Sequence, residues 1–409
     1  MDGLRRPLSG LLIATAAAWL AMGCESNIPQ KPMAGLAPDQ SASAPAPGAS
    51  KIQPARIALL LPLASMGEPA RIARGMKQAA EMALFDGNDP AIQLIVKDDG
   101  GTAEGAQKAA ETAISEGAEI ILGPLFGKAA KGAGISAAPS RIPVMTFSND
   151  PSVAGNGVYL ASFLASDEVD RVVSFAVGKG KKRFAALIPA TPYGQMVEPS
   201  FRKAVSANGG EIVAGATYTP DANGILTSAK QILERIKAAE TSGQPVDALF
   251  MPSGPDEIAQ LGPLLAYSGI DTSKVKLIGT SAWDVPVTAR DDHMVGGWYA
   301  ASDPAGWSAF SEKYQKTFGT PPPRLASLAY DAVAYSIQLS AVPPPARYAA
   351  ENLTRPNGFV GIDGPVRFLP DGRSKRSLAV LEIEKYRSVV IDPAPPGDDQ
   401  AAPRLAEAP

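Results

Sequence analysis

Cysteine occurs once in the 409 residues, at Cys24, and histidine once, at His293. With a single thiol, no disulfide can form within the chain and the folded body has no cysteine nucleophile. A lone histidine rules out a His-based metal cluster. It lies in Asp291-Asp292-His293, a polar, turn-like stretch that suits a solvated side chain better than a catalytic one. Gly-x-Ser-x-Gly is absent, so neither Ser148 nor Ser253 has the setting of a hydrolase nucleophile. Asp99-Gly100-Gly101-Thr102 lacks the lysine of a phosphate-binding loop and the spacing of a dinucleotide fingerprint. Acidic pairs such as Asp98-Asp99 and Asp291-Asp292 read as loop acids facing water. A net charge of -3 gives no basic excess to neutralise phosphates, which excludes nucleic acid as an expected partner. No catalytic residue, metal site or cofactor is therefore expected, and the chain reads as non-enzymatic.

What is present begins at the N-terminus. Arg5 and Arg6 precede an apolar run from Leu8 to Met22, too short to span a bilayer comfortably but suited to the core of a signal peptide. Leu20-Ala21-Met22-Gly23-Cys24-Glu25 resembles a bacterial lipoprotein signal. Residues 1–23 are then the signal and Cys24 the lipidated residue. Glu25 in place of the aspartate that resembles an inner-membrane retention signal points to the outer membrane. The alternatives are an uncleaved membrane anchor or an ordinary secretory signal with a chance cysteine. Residues 24–54 are rich in Pro, Ala and Ser and read as a tether, and 392–409 as a disordered Pro-rich tail.

Between these segments, short apolar runs alternate with helical patterns. Arg56 to Leu61 reads as a strand buried on both faces, and Ile72, Met76, Ala79 and Ala83 share one face of a following helix. Strands at Ile92 to Val96, Ile120 to Leu122 and Val144 to Phe147, each separated by a helix, continue the unit. After Phe163 the rhythm restarts, with strands near Phe184, Glu211, Ala248 and Val275 and helices between them. Two βα series predict an α/β protein of two lobes, each a parallel sheet between helices, with a ligand crevice outside the strand carboxyl ends. The loops after the strands carry the candidate ligand-binding residues: Ser65, Phe126, Ser148, Asn149, Tyr193, Ser253, Trp283 and Asp284. Hydroxyls and backbone N–H groups at helix N-termini suit carboxylates, and Phe126, Tyr193 and Trp283 suit the walls around an organic ligand.

Several of these residues carry a family resemblance. Ile57 to Leu63 with Ser65 and Gly67, Gly75-Met76, Val96-Lys97-Asp98, Ile121-Leu122-Gly123-Pro124, Ile142-Pro143-Val144-Met145 and Phe359 to Phe368 resemble type I periplasmic binding proteins of the leucine/isoleucine/valine class. Gly123-Pro124-Leu125-Phe126, Phe147-Ser148-Asn149-Asp150 and Phe368-Leu369-Pro370-Asp371-Gly372 resemble most the lipoproteins called penicillin-binding protein activators. The resemblance implies three crossovers, near Phe163, Trp283 and Val342. Lobe one would hold residues 55–163 plus 284–341, and lobe two 164–283 plus 342–391. It also adds Thr146, with Ser148, as a post-strand hydroxyl facing the ligand, while Leu125-Phe126 replaces the serine pair of amino-acid binders. The implied role is a lipid-anchored periplasmic module that contacts a penicillin-binding protein in peptidoglycan synthesis. The alternative is the substrate-binding lipoprotein of an ABC importer for branched-chain amino acids or similar small organic ligands, with a permease as partner.

Overall fold

The computed structural model describes residues 54–396; the signal, Cys24, nearly all of the tether and the tail beyond residue 396 lie outside the described residues. The first sheet is built from β1 (Ala55–Leu61), β2 (Ile92–Asp98), β3 (Ile120–Leu122), β4 (Val144–Thr146) and β5 (Val158–Leu160), with α1 (Glu68–Gly87), α2 (Ala103–Ser115) and α3 (Gly127–Ala137) between them. All its pairings are parallel and the order is β2-β1-β3-β4-β5. Parallel strands need helical crossovers that cover both faces, which is why β1 is buried along its length except at Arg56.

The second series repeats this plan. It comprises α4 (Ala165–Gly178), β6 (Arg183–Pro189), α5 (Pro192–Ala207), β7 (Glu211–Tyr218), α6 (Ala222–Thr241), β8 (Ala248–Phe250), α7 (Pro255–Tyr267), β9 (Lys276–Gly279) and β10 (Trp298–Ala301). The chain then forms α8 (Pro304–Phe318), α9 (Ala326–Ser340), α10 (Ala350–Leu353) and the antiparallel strands β11 (Phe359–Gly361), β12 (Gly364–Phe368) and β13 (Ser374–Arg376). Finally β14 (Ala379–Glu384) and β15 (Arg387–Asp392) join the second sheet antiparallel, giving the order β15-β14-β10-β9-β8-β6-β7.

Helices cover each sheet on both faces. In the first lobe α1 and α9 bury Met76, Ala80, Leu328 and Val333 against one face. On the other, α2 and α3 present alanines (Ala106, Ala110, Ala129, Ala133). Small residues let these two helices approach so closely that a Cβ at Gly132 would collide with the Ala103 carbonyl. In the second lobe α6 and α7 cover one face and α4 and α5 the other, where Phe201 stacks on Phe250 at 4.4 Å. Each of the larger side chains, Met76, Leu328, Val333, Phe201 and Phe250, contributes about 1.5–3 kcal/mol on burial.

Two of the three expected crossovers fall elsewhere. The first passes between β5 and α4, next to Phe163 as expected. The second follows β10 at residues 302–303 and not Trp283, because β10 pairs with β9 and β14 in the second sheet. The third falls at residues 377–378, between β13 and β14, and not near Val342. Phe359 and Phe368 belong to the first lobe's core: Phe359 stacks on Tyr335 of α9 at 4.2 Å, and Phe368 meets Tyr159 of β5 at 5.8 Å. Residues 284–301 therefore lie with the second sheet, and 342–376, whose β11, β12 and β13 form a separate three-stranded sheet, pack with the first lobe's core. The expected tail start is also corrected, since β15 continues to Asp392, whose carboxylate bonds Arg171 at 2.5 Å.

Candidate functional site

In each sheet the first strand of the series has neighbours whose connections leave in opposite directions: β1 lies between β2 and β3, and β6 between β7 and β8. Such switch points open a crevice at the strand carboxyl ends. In lobe one, Gly123 follows β3 with φ +89, and a Cβ there would run into the Leu60 carbonyl, so glycine alone fits. The turn delivers Phe126 to the N-cap of α3, in extended conformation and with no side chain capping the helix. Its ring is 37% exposed and lies over Gly101 in the loop after β2. Ser148, buried after β4, accepts the Asp150 N–H at 3.1 Å, and its Oγ lies 3.4 Å from where a Cβ of Gly127 would stand. Asp150 Oδ2 borders the same position, Asn149 is exposed beside it, and Ser65 is half-buried after β1. Ser65, Phe126, Ser148 and Asn149 thus stand where the sequence placed them, at the carboxyl end of the first sheet.

Thr146 does not face the crevice. It is fully buried, donates to the Pro124 carbonyl at 2.7 Å and accepts the Ser148 N–H at 3.2 Å, so it staples two loops together. Ser253 is likewise fully buried and accepts the Tyr218 hydroxyl at 2.7 Å, tying the end of β8 to the end of β7. Trp283 is 1% exposed, packed across Gly279 and edge-on to Tyr299 at 6.5 Å. These three expected ligand contacts are internal structure, because each is consumed by its own lobe.

The second lobe instead offers Tyr193, Ser281 and Asp284. Tyr193 opens α5 half-buried and donates to Thr280 Oγ1 at 2.9 Å; burial, with the Glu168 carboxylate nearby, raises its phenol pKa. Asp284 is exposed and accepts the Tyr299 hydroxyl at 2.9 Å. Ser281 is held by Glu168 of α4, which accepts its N–H at 3.0 Å and its hydroxyl at 2.7 Å. Burial pushes Glu168 up to about 7, against the pull of those two bonds.

A cavity of about 650 Å³ lies at the joint of the lobes. Phe163, Ser302 and Leu378, one from each crossover, line it together with Arg324, Trp307 and Ser281. The Arg324 guanidinium sits 4.5 Å from the ring centroids of both Phe163 and Trp307 and bonds the fully buried Asp363 at 2.5 and 3.2 Å. Sequence reasoning passed over Glu168 and Arg324. Glu168 reads as an ordinary first-turn helix acid, and Arg324 as a loop cation after Pro321-Pro322-Pro323. His293 is partly exposed, its Nδ1 2.8 Å from Asp291 Oδ1 at the surface.

Residues 54–387 match the family described as periplasmic binding protein. Among solved structures, a Rhodospirillum rubrum protein designated a branched-chain amino acid ABC transporter covers 83% of this chain and all of its own, at TM-score 0.72 and 20% identity. An ABC transporter substrate-binding protein of Desulfitobacterium hafniense in complex with Leu covers 82% of the chain and 99% of its own, at TM-score 0.59 and 17% identity. A solute binding protein of Rhodopseudomonas palustris BisB5, in complex with 3,4-dihydroxybenzoic acid, covers 84% and 99% at TM-score 0.56 and 18% identity. An uncharacterized Rickettsia prowazekii protein is 22% identical over 237 residues, 58% of this chain; the match spans 62% of that relative's length.

Proposed function

Because the chain belongs to the periplasmic binding protein family, we propose that it captures a small carboxylate-bearing solute between its lobes and presents it to an ABC permease, without catalysis. What supports this reading is the set of groups each lobe carries at its strand carboxyl ends: the uncapped α3 N-terminus and the Ser148 hydroxyl in lobe one, Tyr193 and Ser281 in lobe two. Helix N–H groups and a hydroxyl suit a carboxylate. The exposed ring of Phe126 and the half-buried ring of Tyr193 suit an apolar or aromatic remainder. Closure about the three crossovers, driven by a ligand's higher affinity for the closed form, is the mechanism we assign to it.

The similar structures named above are ABC transporter proteins, two of them bound to compounds that carry a carboxylate. That favours solute capture over the penicillin-binding protein contact implied by the sequence motifs. Family membership goes with a periplasmic location. Attachment by lipid at Cys24 is part of the proposal and rests on the residue pattern around it. Its two or more acyl chains would hold the protein at a membrane surface.

Calorimetric titration with branched-chain amino acids and benzoates tests the reading. At least one compound is expected to bind, and Ser148→Ala to weaken it by about 10- to 100-fold, as loss of a hydrogen bond to a charged group implies. Unchanged affinity in the variant would remove Ser148 from the site.

A further inference from the structure

Ser281 and Glu168 both line the interlobe cavity, hydrogen-bonded side by side. Ser281 Oγ lies 2.7 Å from Glu168 Oε1, and the Ser281 N–H reaches Oε2 at 3.0 Å. A hydroxyl has one proton, so the direction of donation across the 2.7 Å contact decides what Ser281 offers the cavity. With Glu168 ionised, Ser281 must donate to it, and Oγ presents lone pairs alone. With Glu168 protonated, the carboxyl O–H can donate to Oγ, and the serine proton turns toward the cavity. The atoms need not move; only a proton is added.

We propose that the Glu168–Ser281 pair is a proton-controlled specificity element, in which lobe two receives a donor such as an ammonium when Glu168 is ionised and an acceptor such as a carboxylate when it is protonated. This deepens the solute-binding reading and rests on it for the ligand. Glu168 is a positioning residue, acting through Ser281.

The surroundings leave this proton free to exchange near neutral pH. Burial raises Glu168 to about 7, Asp167 beside it pushes the same way, and Arg324 from the other lobe pulls down. None of these neighbours takes over the contact. Asp167 accepts the Arg376 N–H at 2.9 Å, Arg324 is held by Asp363, and Tyr193 of α5 gives its hydroxyl proton to Thr280. The start of α4 favours the ionised form, which keeps burial from locking the acid neutral.

The test has a ligand-free arm and a ligand arm. In 15N-labelled protein without ligand, the Ser281 amide resonance is expected to titrate with a midpoint near neutrality, and to lose that titration in Glu168→Gln. A Ser281 amide that does not move, or moves equally in Glu168→Gln, overturns the proposal. In calorimetry the probes are L-leucine and 4-methylpentanoate, the same skeleton without the ammonium. Preference for leucine should rise by at least about tenfold between acidic and mildly alkaline pH, and stay flat in both Glu168→Gln and Ser281→Ala. A preference independent of pH in the wild type overturns the specificity role. If neither compound binds while the amide titrates, the solute class fails and the proton switch stands.

Discussion

Trp283→Ala should destabilise the protein by about 3–5 kcal/mol in equilibrium urea unfolding, the cost of emptying a large aromatic site in a packed core. The indole is 1% exposed, lies across Gly279 and meets Tyr299 edge-on. It belongs to the core cluster that includes Met294, Leu381 and Ile383. Its N–H has no hydrogen-bond partner, so the ring's contribution is packing alone. Trp283→Phe keeps an aromatic ring and should cost much less, about 1–2 kcal/mol. If Trp283 instead faced the ligand, Trp283→Ala would leave unfolding nearly unchanged and abolish binding.

Stability is expected to fall as pH rises from about 4 to about 7. Glu168 and Asp331 are both pushed up to about 7, and Asp99 and Asp167 to about 6, with burial the leading cause in each. Asp331 has the neighbouring Asp363 as a second cause. An acid whose pKa is raised by folding holds its proton more tightly in the folded state. Between the unfolded and folded pKa values the native protein binds more protons, and stability declines with rising pH. The contribution is complete below about pH 4 and gone above about pH 7. For Glu168 and Asp331, both buried, it is on the order of 3 kcal/mol each. Urea midpoints at pH 5 and pH 7.5 measure it. Glu168→Gln and Asp331→Asn should each reduce the difference, and a protein more stable at pH 7.5 than at pH 5 would contradict the assignment.

The strands and helices of the two βα series were legible because each is a simple period bounded by clear signals. Thr102 caps α2 by accepting the Gly105 N–H, Asn88 closes α1 in the left-handed region, and β1 is a continuous apolar run. Three-residue strands such as β5, β11 and β13 carry too few positions for a period to show, and their pairing comes from tertiary context. The crossovers at 302–303 and 377–378 were hidden for the same reason. The sequence shows that Trp298 to Ala301 is a strand, but only packing shows which sheet takes it.

At the site, small and polar residues after strands marked the right loops without telling which side chains face out. Ser148 and Thr146 are two residues apart on one strand end, yet Thr146 is spent on the Pro124 carbonyl. Glu168 became visible only because folding brings it to Ser281 across 113 positions of sequence. Long-range pairing of that kind leaves no local signal.

Solute capture by the crevice is most directly tested by thermal unfolding against amino acids and small aromatic acids. A compound present at about a hundred times its dissociation constant should stabilise the folded protein by roughly 2.7 kcal/mol, because it binds the native state alone. A clear rise in melting temperature is expected with at least one carboxylate-bearing compound, diminished in Ser148→Ala. A melting temperature unmoved by every compound at millimolar concentration would contradict it.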